Sequence, residues 1–423
     1  MAADTETRPA ASPAADARAN DPRPALALLL VATVVTCAAG WLFKAECTFD
    51  GQWDNLELYA KGCYSDAFPF WRGHHLADGA IPYLDAPIEY PVLTGLLIFL
   101  DQRWTHAIFG SEAGDPAFVF VVSVANTGLA LWIMQMLRGL RLSPGRLWAW
   151  ALAPLLVLYL GHNWDLLAVA LAVAAFVAAE KGRPVRACAL AALGAAAKLF
   201  PVLLLPLIAL RRLVAFKIGE VTVLAAVAIA VWAAVNLPVA LAAPDNWWEF
   251  YKFSSERGGT TAAVWDLATH YQVFITDIPM RNLLSGLAFV AGMGAILHEG
   301  WPRYKDRLWL LFTPVLLWFI FTSKVYSPQF DIWVYPFILI TARRWEPIAL
   351  FVLGDIACYF MELWFFAGQL HGWPAVPMES VLCAAVIRAA AMGWLISDAL
   401  RLPLPAWLEP DGSSPLPVPA PAS

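Results

Sequence analysis

Long apolar runs, separated by short basic clusters and a few polar turns, recur from Pro24 to Leu400. Each is long enough to enter or cross a hydrocarbon core, so they are read as one all-α membrane domain, 24–400, with no soluble domain between the spans. The crossing segments are 24–43, 117–137, 147–160, 166–179, 187–197, 199–210, 219–241, 281–298, 308–322, 332–342, 347–366 and 380–399, which makes about twelve transmembrane helices. A further apolar segment, Tyr90 to Phe109, is broken by Asp101, Gln102 and Arg103 after about ten residues, short of the roughly 20 a span needs. It is expected to be a juxtamembrane or re-entrant helix inside a long first outer loop, 44–116.

Charge orients these segments. Basic residues at Arg138/Arg141/Arg146, Lys181/Arg183/Arg186, Arg211/Arg212/Lys217, Arg303/Lys305/Arg307 and Arg343/Arg344, with Arg8, Arg18, Arg23 and Arg401, put 18 of the 28 Lys and Arg on one face. Cytoplasmic loops retain such residues during insertion, so that face and both ends of the chain are expected in the cytoplasm. The parity supports one non-crossing segment before Arg138, since two crossings there would send the Arg138 cluster outside. A plasma-membrane, multi-pass location follows, with the polar turns facing the periplasm or cell exterior.

Several helices are short in a pattern. The pairs 147–160 with 166–179, 187–197 with 199–210, and 308–322 with 332–342 all meet on the outer side, at Gly161–Asp165, Lys198–Pro201 and Ser323–Asp331. A helix of 11 to 14 residues rises about 16 to 21 Å against a core of about 30 Å. Anchored in the cytoplasmic interface, such hairpins end below the outer surface, where irregular polar backbone needs protein cover or a wet cavity.

Composition agrees with a bilayer as solvent: 60% hydrophobic residues, 14% charged, and a mean hydropathy of +0.61. The first 23 residues, rich in Ala, Pro, Asp and Arg, and residues 401–423, rich in Pro and Ser, are read as disordered cytoplasmic tails. Pro24–Phe43 is long, starts after a tail and lacks a small-x-small cleavage site followed by a soluble domain, so it is read as the first span rather than a signal peptide. Cys37, Cys188, Cys358 and Cys383 fall in apolar runs as packing residues. Cys47 and Cys63 lie in the outer loop, open either to a disulfide or to two free thiols.

Candidate chemistry sits on the outer side. Lys198 lies near the middle of an apolar stretch with two cytoplasmic ends, where an ammonium costs a few kcal/mol unless a carboxylate or water meets it. One reading pairs it with Asp165; the other makes it a clamp for a lipid phosphate, with Lys324 adding a second charge. Asp66 stands in Cys63–Arg72, a stretch aromatic enough to lie against the membrane and present one carboxylate as a general base. The other acids of the loop, including Asp50, Asp54, Glu57, Asp78 and Asp85, read as solvated surface. His74 and His75 lack a metal-ligand spacing, and no glycine-rich phosphate loop, nucleophile elbow or zinc motif is present, so neither metal nor cofactor is expected. Nothing points to nucleic acid; oligomeric state is open.

Glu89-Tyr90-Pro91 entering a non-crossing helix, the early Asp66, the short helix pairs and Lys198-Leu199-Phe200-Pro201 before an Arg pair resemble the GT-C superfamily of membrane glycosyltransferases. The nearer resemblance is to glycosyltransferase family 87, polyprenol-phosphate-mannose-dependent mannosyltransferases, with Tyr90-Pro91-Val92 in place of that family's Tyr-Pro-Pro and Gly161-His162-Asn163-Trp164-Asp165 in place of its Gly-Gln-x-Asn turn. The resemblance implies a polyprenyl-phosphate sugar donor, a lipid or glycan acceptor, an inverting hexosyl transfer and Asp66 as catalytic base. It places Lys198, Arg72 and Lys324 at the donor phosphate, with Tyr64, Glu89, Tyr90, His162, Asn163, Asp165, Tyr326 and Gln329 around the cavity. The altered turn leaves an arabinofuranosyl donor open beside mannose. A secondary transporter also uses intramembrane Lys and Asp, but typically with internal repeats and access from both faces; a scaffolding protein is the third class.

Overall fold

The computed structural model describes residues 23–49, 57–368 and 375–409; most of both expected tails, and Asp50 and Asp54 of the outer loop, lie outside the described residues. It is helical, in the order α1 (Leu26–Phe49), α2 (Glu57–Lys61), α3 (Ala67–Gly73), α4 (Val92–Phe109), α5 (Asp115–Gly139), α6 (Pro144–Ala151), α7 (Pro154–Tyr159), α8 (Asp165–Glu180) and α9 (Pro184–Ala195). The second half continues with α10 (Leu204–Val214), α11 (Ile218–Ala242), α12 (Pro244–Glu256), α13 (Val264–His270), α14 (Ile278–Tyr304), α15 (Phe312–Thr322), α16 (Asp331–Thr341), α17 (Glu346–Ala367) and α18 (Met378–Arg401). Among the described residues six helices, α1, α5, α11, α14, α17 and α18, are long and apolar enough to cross a membrane.

Each expected crossing segment coincides with a helix or a broken pair of helices, and the breaks have local causes. The segment 147–160 divides into α6 and α7 because Pro154 has no N–H to continue the ladder, so Ala153 stands as an extended cap. The short pairs occupy the interior: α8 and α16 are buried along nearly their whole length, as befits helices apolar on every side. Long helices with exposed apolar faces, such as α11 and α14, lie at the periphery, where lipid would meet them.

The segment expected not to cross is a single helix, α4, and it is not one of the six long apolar ones. Its polar triplet does not interrupt it. Asp101 and Gln102 turn inward instead, Asp101 accepting from Trp164 Nε1 at 2.9 Å and Gln102 donating to the carbonyls of Leu76 and Ala80 at 2.8 and 3.0 Å. Its N-terminus is tied to the end of α9, Leu93 N–H to Ala196 O at 2.9 Å and Thr94 Oγ1 to Ala197 O at 2.7 Å. This helix therefore brings Tyr90, just ahead of it, beside Lys198.

Residues 401–409, expected as part of a tail, lie on the bundle. Trp407 Nε1 donates to Ile340 O at 2.9 Å and Leu408 is buried, because this stretch still carries two large apolar side chains to bury.

Candidate functional site

Where the three short hairpins and the first outer loop converge, they enclose a cavity of about 970 Å³. Its wall includes Tyr64, Asp66, Glu89, Tyr90, His162, Lys198, Lys324 and Gln329, so eight of the twelve residues expected at the site share one space. The remaining wall is aromatic, with Tyr59, Phe70, Phe250, Phe330, Trp333 and Tyr359. Cavities of this size with few convergent polar groups are typical ligand sites.

Asp66 enters the cavity from the turn preceding α3. Its backbone N–H is held by His162 O at 2.8 Å, and the preceding Ser65 Oγ donates to Gly161 O at 2.6 Å, so the loop is locked to the α7–α8 turn. Tyr90 Oη donates to Asp66 Oδ2 at 2.8 Å, and Tyr83 Oη, packed flat over Gly95, donates to Tyr90 O at 2.8 Å. Any Cβ at position 95 would run into the Tyr83 ring. Burial raises the Asp66 carboxyl above the usual range, while the Tyr90 hydroxyl, the Lys198 charge and the Tyr64 hydroxyl draw it part of the way back. The same carboxylate, together with burial, pushes the Tyr64 phenol up.

Lys198 sits at the tip of the α9–α10 hairpin. It donates to Asp165 Oδ1 at 2.7 Å, while Trp333 Nε1 satisfies Asp165 Oδ2 at 2.7 Å. The ammonium lies 4.6 Å from the Tyr90 ring centroid and 5.5 Å from that of Trp333, within cation–π range. The Asp165 partner expected for Lys198 is therefore present, and the residue also lines the cavity.

Four expected site residues lie elsewhere. Arg72 points away from the cavity from the last turn of α3 and pairs with Asp115 in the first turn of α5. Asp165 is sealed beneath Lys198, its side chain only 1% exposed. Asn163 shapes the turn, with Oδ1 capping Asp165 N–H at 3.0 Å and its carbonyl accepting from Asn126 at 2.7 Å. Tyr326 points into the bundle, where its hydroxyl donates to Asp331 Oδ1 at 2.5 Å beneath the Arg388 guanidinium.

The cavity also gains residues that sequence reasoning missed: Arg257, Thr260 and Thr261 from the α12–α13 connection, Asp266 from the first turn of α13, and Glu362 from α17. The signal was Arg257-Gly258-Gly259-Thr260-Thr261, a small polar loop between two aromatic helices. Gly259 is required there by close approach, since a Cβ would collide with the Asp266 carboxylate and come within 2.9 Å of Lys324 O. Asp266 pairs with Arg281 at 3.0 Å, and Thr260 Oγ1 accepts from Tyr326 N–H at 2.8 Å. Lys324 donates to Ser255 O at 2.8 Å, and burial together with the charges of Arg257 and Arg281 lowers its ammonium. This end of the cavity therefore brings Arg257 and Lys324 together, with Arg281 paired to Asp266 behind them.

The outer loop is pinned at its root by a disulfide between Cys47 and Cys63, with Cα atoms 6.0 Å apart. His74 and His75 diverge, His74 to Glu89 at 3.3 Å and His75 to Asp78 at 3.2 Å.

No family model and no curated protein matches this sequence. Among solved structures it is similar to the crystal structure of ArnT from Cupriavidus metallidurans bound to undecaprenyl phosphate, with 14% identity and a TM-score of 0.40 over 89% of this chain and 77% of that one. Function is therefore to be read from the cavity itself.

Proposed function

We propose that the protein is a membrane glycosyltransferase that moves a sugar from a polyprenyl-phosphate donor to a lipid or glycan acceptor, at a cavity opening on the outer face of the membrane. One observation carries this reading: the Asp66 carboxylate, held by the Tyr90 hydroxyl, shares a cavity with Lys198, Arg257 and Lys324. A base and a set of cations facing one another are what a displacement at a phosphorylated carbon needs. The resemblance of Asp66, Glu89-Tyr90-Pro91 and Lys198-Leu199-Phe200-Pro201 to the GT-C superfamily supports the same chemistry.

Tyr90 holds Asp66 Oδ2, and the Tyr64 hydroxyl also bonds the carboxylate, so the two phenols orient it for the acceptor. Asp66 takes the proton of the acceptor hydroxyl as that oxygen bonds to the anomeric carbon. The bond from that carbon to the phosphate oxygen breaks on the opposite side, inverting the centre, and polyprenyl phosphate leaves with the electron pair. Lys198, Arg257 and Lys324 meet the charge that grows on it, and no proton need be supplied to so weak a base. The aromatic walls suit the faces of a sugar ring. Mannose is the donor sugar we favour from the family resemblance, with arabinofuranose as the alternative.

The test is radiolabelled transfer in proteoliposomes from polyprenyl-phosphate mannose and, separately, from the arabinofuranose donor. Asp66→Asn is expected to lower turnover by about 10²- to 10⁴-fold, the usual contribution of a general base. Solute flux without transfer from either donor replaces the enzyme with a carrier.

A further inference from the structure

Lys44 stands apart from these groups. It is in the outer part of α1, fully buried, and no carboxylate pairs with it among the described residues. A lysine there costs several kcal/mol unless its donors are satisfied, and its neighbours satisfy them as acceptors. Its Nζ donates to Tyr64 O at 2.8 Å and to Tyr359 Oη, whose own proton goes to Gly62 O at 2.5 Å. The third N–H is shared between Gly62 O at 3.4 Å and His162 Nδ1 at 3.5 Å.

The attachment points matter more than their number. Gly62 and Tyr64 bracket Cys63, and Cys63 is bonded to Cys47, three residues after Lys44 and so on the same face of α1. Asp66 follows two residues later, its N–H on the carbonyl of His162. The Lys44 stem also fills the space beside Gly161, where a Cβ would meet Lys44 Cγ at 3.1 Å. One side chain thus touches both the loop that presents Asp66 and the turn that presents His162.

A ring N–H at His162 Nδ1 would face the ammonium head-on, so Nδ1 must carry the lone pair and Nε2 the proton. His162 lines the cavity, and with Nδ1 on Lys44 the Nε2–H is the ring's remaining donor. We infer that Lys44 is a positioning residue: it orients the Asp66 loop and holds His162 as the Nε2–H tautomer, so that His162 donates a hydrogen bond to an oxygen of the bound sugar or acceptor. This rests on the sugar-transfer reading for its ligand, though the tautomer itself does not.

Two measurements on the full chain in detergent or nanodiscs test it. The first is ¹⁵N NMR of histidine-labelled protein, with the His162 signal identified by its loss in His162→Asn. A neutral Nε2–H ring near neutral pH is expected; an Nδ1–H or doubly protonated ring overturns the inference, whether or not transfer is detected. The second is steady-state transfer by Lys44→Met and Lys44→Arg. Lys44→Met should lower kcat by about 10- to 100-fold, as losing a group that orients an active-site ligand typically does, with donor KM nearly unchanged and partial recovery in Lys44→Arg. A folded Lys44→Met with wild-type kcat overturns the inference, and should that variant not fold, the wild-type tautomer decides. Absence of transfer by the wild type sinks the functional reading and leaves the tautomer result standing.

Discussion

Two ion pairs join helices within this bundle in opposite settings. Lys198–Asp165 closes at 2.7 Å with the lysine side chain 18% exposed to the cavity, whereas Arg388–Asp331 closes at 3.3 Å with side chains 1% and 0% exposed. Around the first, only one ammonium hydrogen is committed to Asp165 and the flanking Tyr90 and Trp333 are aromatic faces. The second is packed about with protein: Tyr326 Oη holds Asp331 Oδ1, the guanidinium carbon lies 3.7 Å from the Tyr326 ring centroid, and Tyr159 ties the neighbouring Asp355 at 2.5 Å. The open pair keeps donors for a ligand. The sealed pair is closed to any ligand, although Arg388 Nη2 finds no partner among the described residues, and it fastens α16 to α18, so two similar pairs serve binding and architecture respectively.

Breaking the sealed pair has the largest consequence for the fold. Arg388→Met strands Asp331 in an environment without water and should destabilise the protein by about 3–5 kcal/mol, the usual result of orphaning a buried charge; thermal unfolding in detergent reads it directly. If Arg388→Met leaves the unfolding temperature in place, the two pairs do not differ as described. Lys198→Met is the counterpart. Transfer should fall about 10²-fold through the lost stabilisation of the leaving phosphate, in line with removing one preorganised donor, with a smaller stability loss than at Arg388 because cavity water reaches the site.

A gentler change sharpens the chemistry of the open region. Tyr90→Phe deletes the hydroxyl that helps draw the Asp66 carboxyl down, so its pKa rises further above the usual range. Asp66 acts as a base only when ionised, so the acid limb of the kcat/KM profile should move to higher pH in Tyr90→Phe. An unmoved limb would separate Tyr90 from the base.

The smallest effect belongs to the His74–Glu89 pair at the cavity rim. Burial lowers the His74 imidazole, but the Glu89 hydrogen bond and charge and the Pro87 carbonyl outweigh it and raise the imidazole overall. Burial raises Glu89, but His74 outweighs it and brings the carboxyl below its ordinary value. His74 therefore contributes fully below the usual histidine value of about 6.5 and loses its contribution as pH rises through its raised folded pKa. Glu89 contributes fully above the usual value of about 4.3 and loses it as pH falls through its depressed folded pKa. The pair stabilises most between those values, by less than about 1 kcal/mol given its partial exposure. His74→Gln should flatten that part of the stability–pH curve.

The helices and their order were legible in the sequence, because the length of an apolar run against the thickness of a hydrocarbon core is a local property. So were the polar hairpin tips and the shorter helix α4, each written in a few consecutive residues. The sequence also determined that Asp66, Tyr90, His162 and Lys198 had to find polar surroundings, since none could be left in lipid. Which surroundings they found was decided only by tertiary packing. Asp165 meets Lys198 across 33 residues and Trp333 across 168, Arg72 turns away to Asp115, and the Arg257–Thr261 loop, polar and glycine-rich in sequence, arrives at a cavity its sequence does not name. Periodicity specifies the face of a helix that must be covered but not the helix that covers it, and a charge needs a partner without naming one; the packing of the hairpins supplied both.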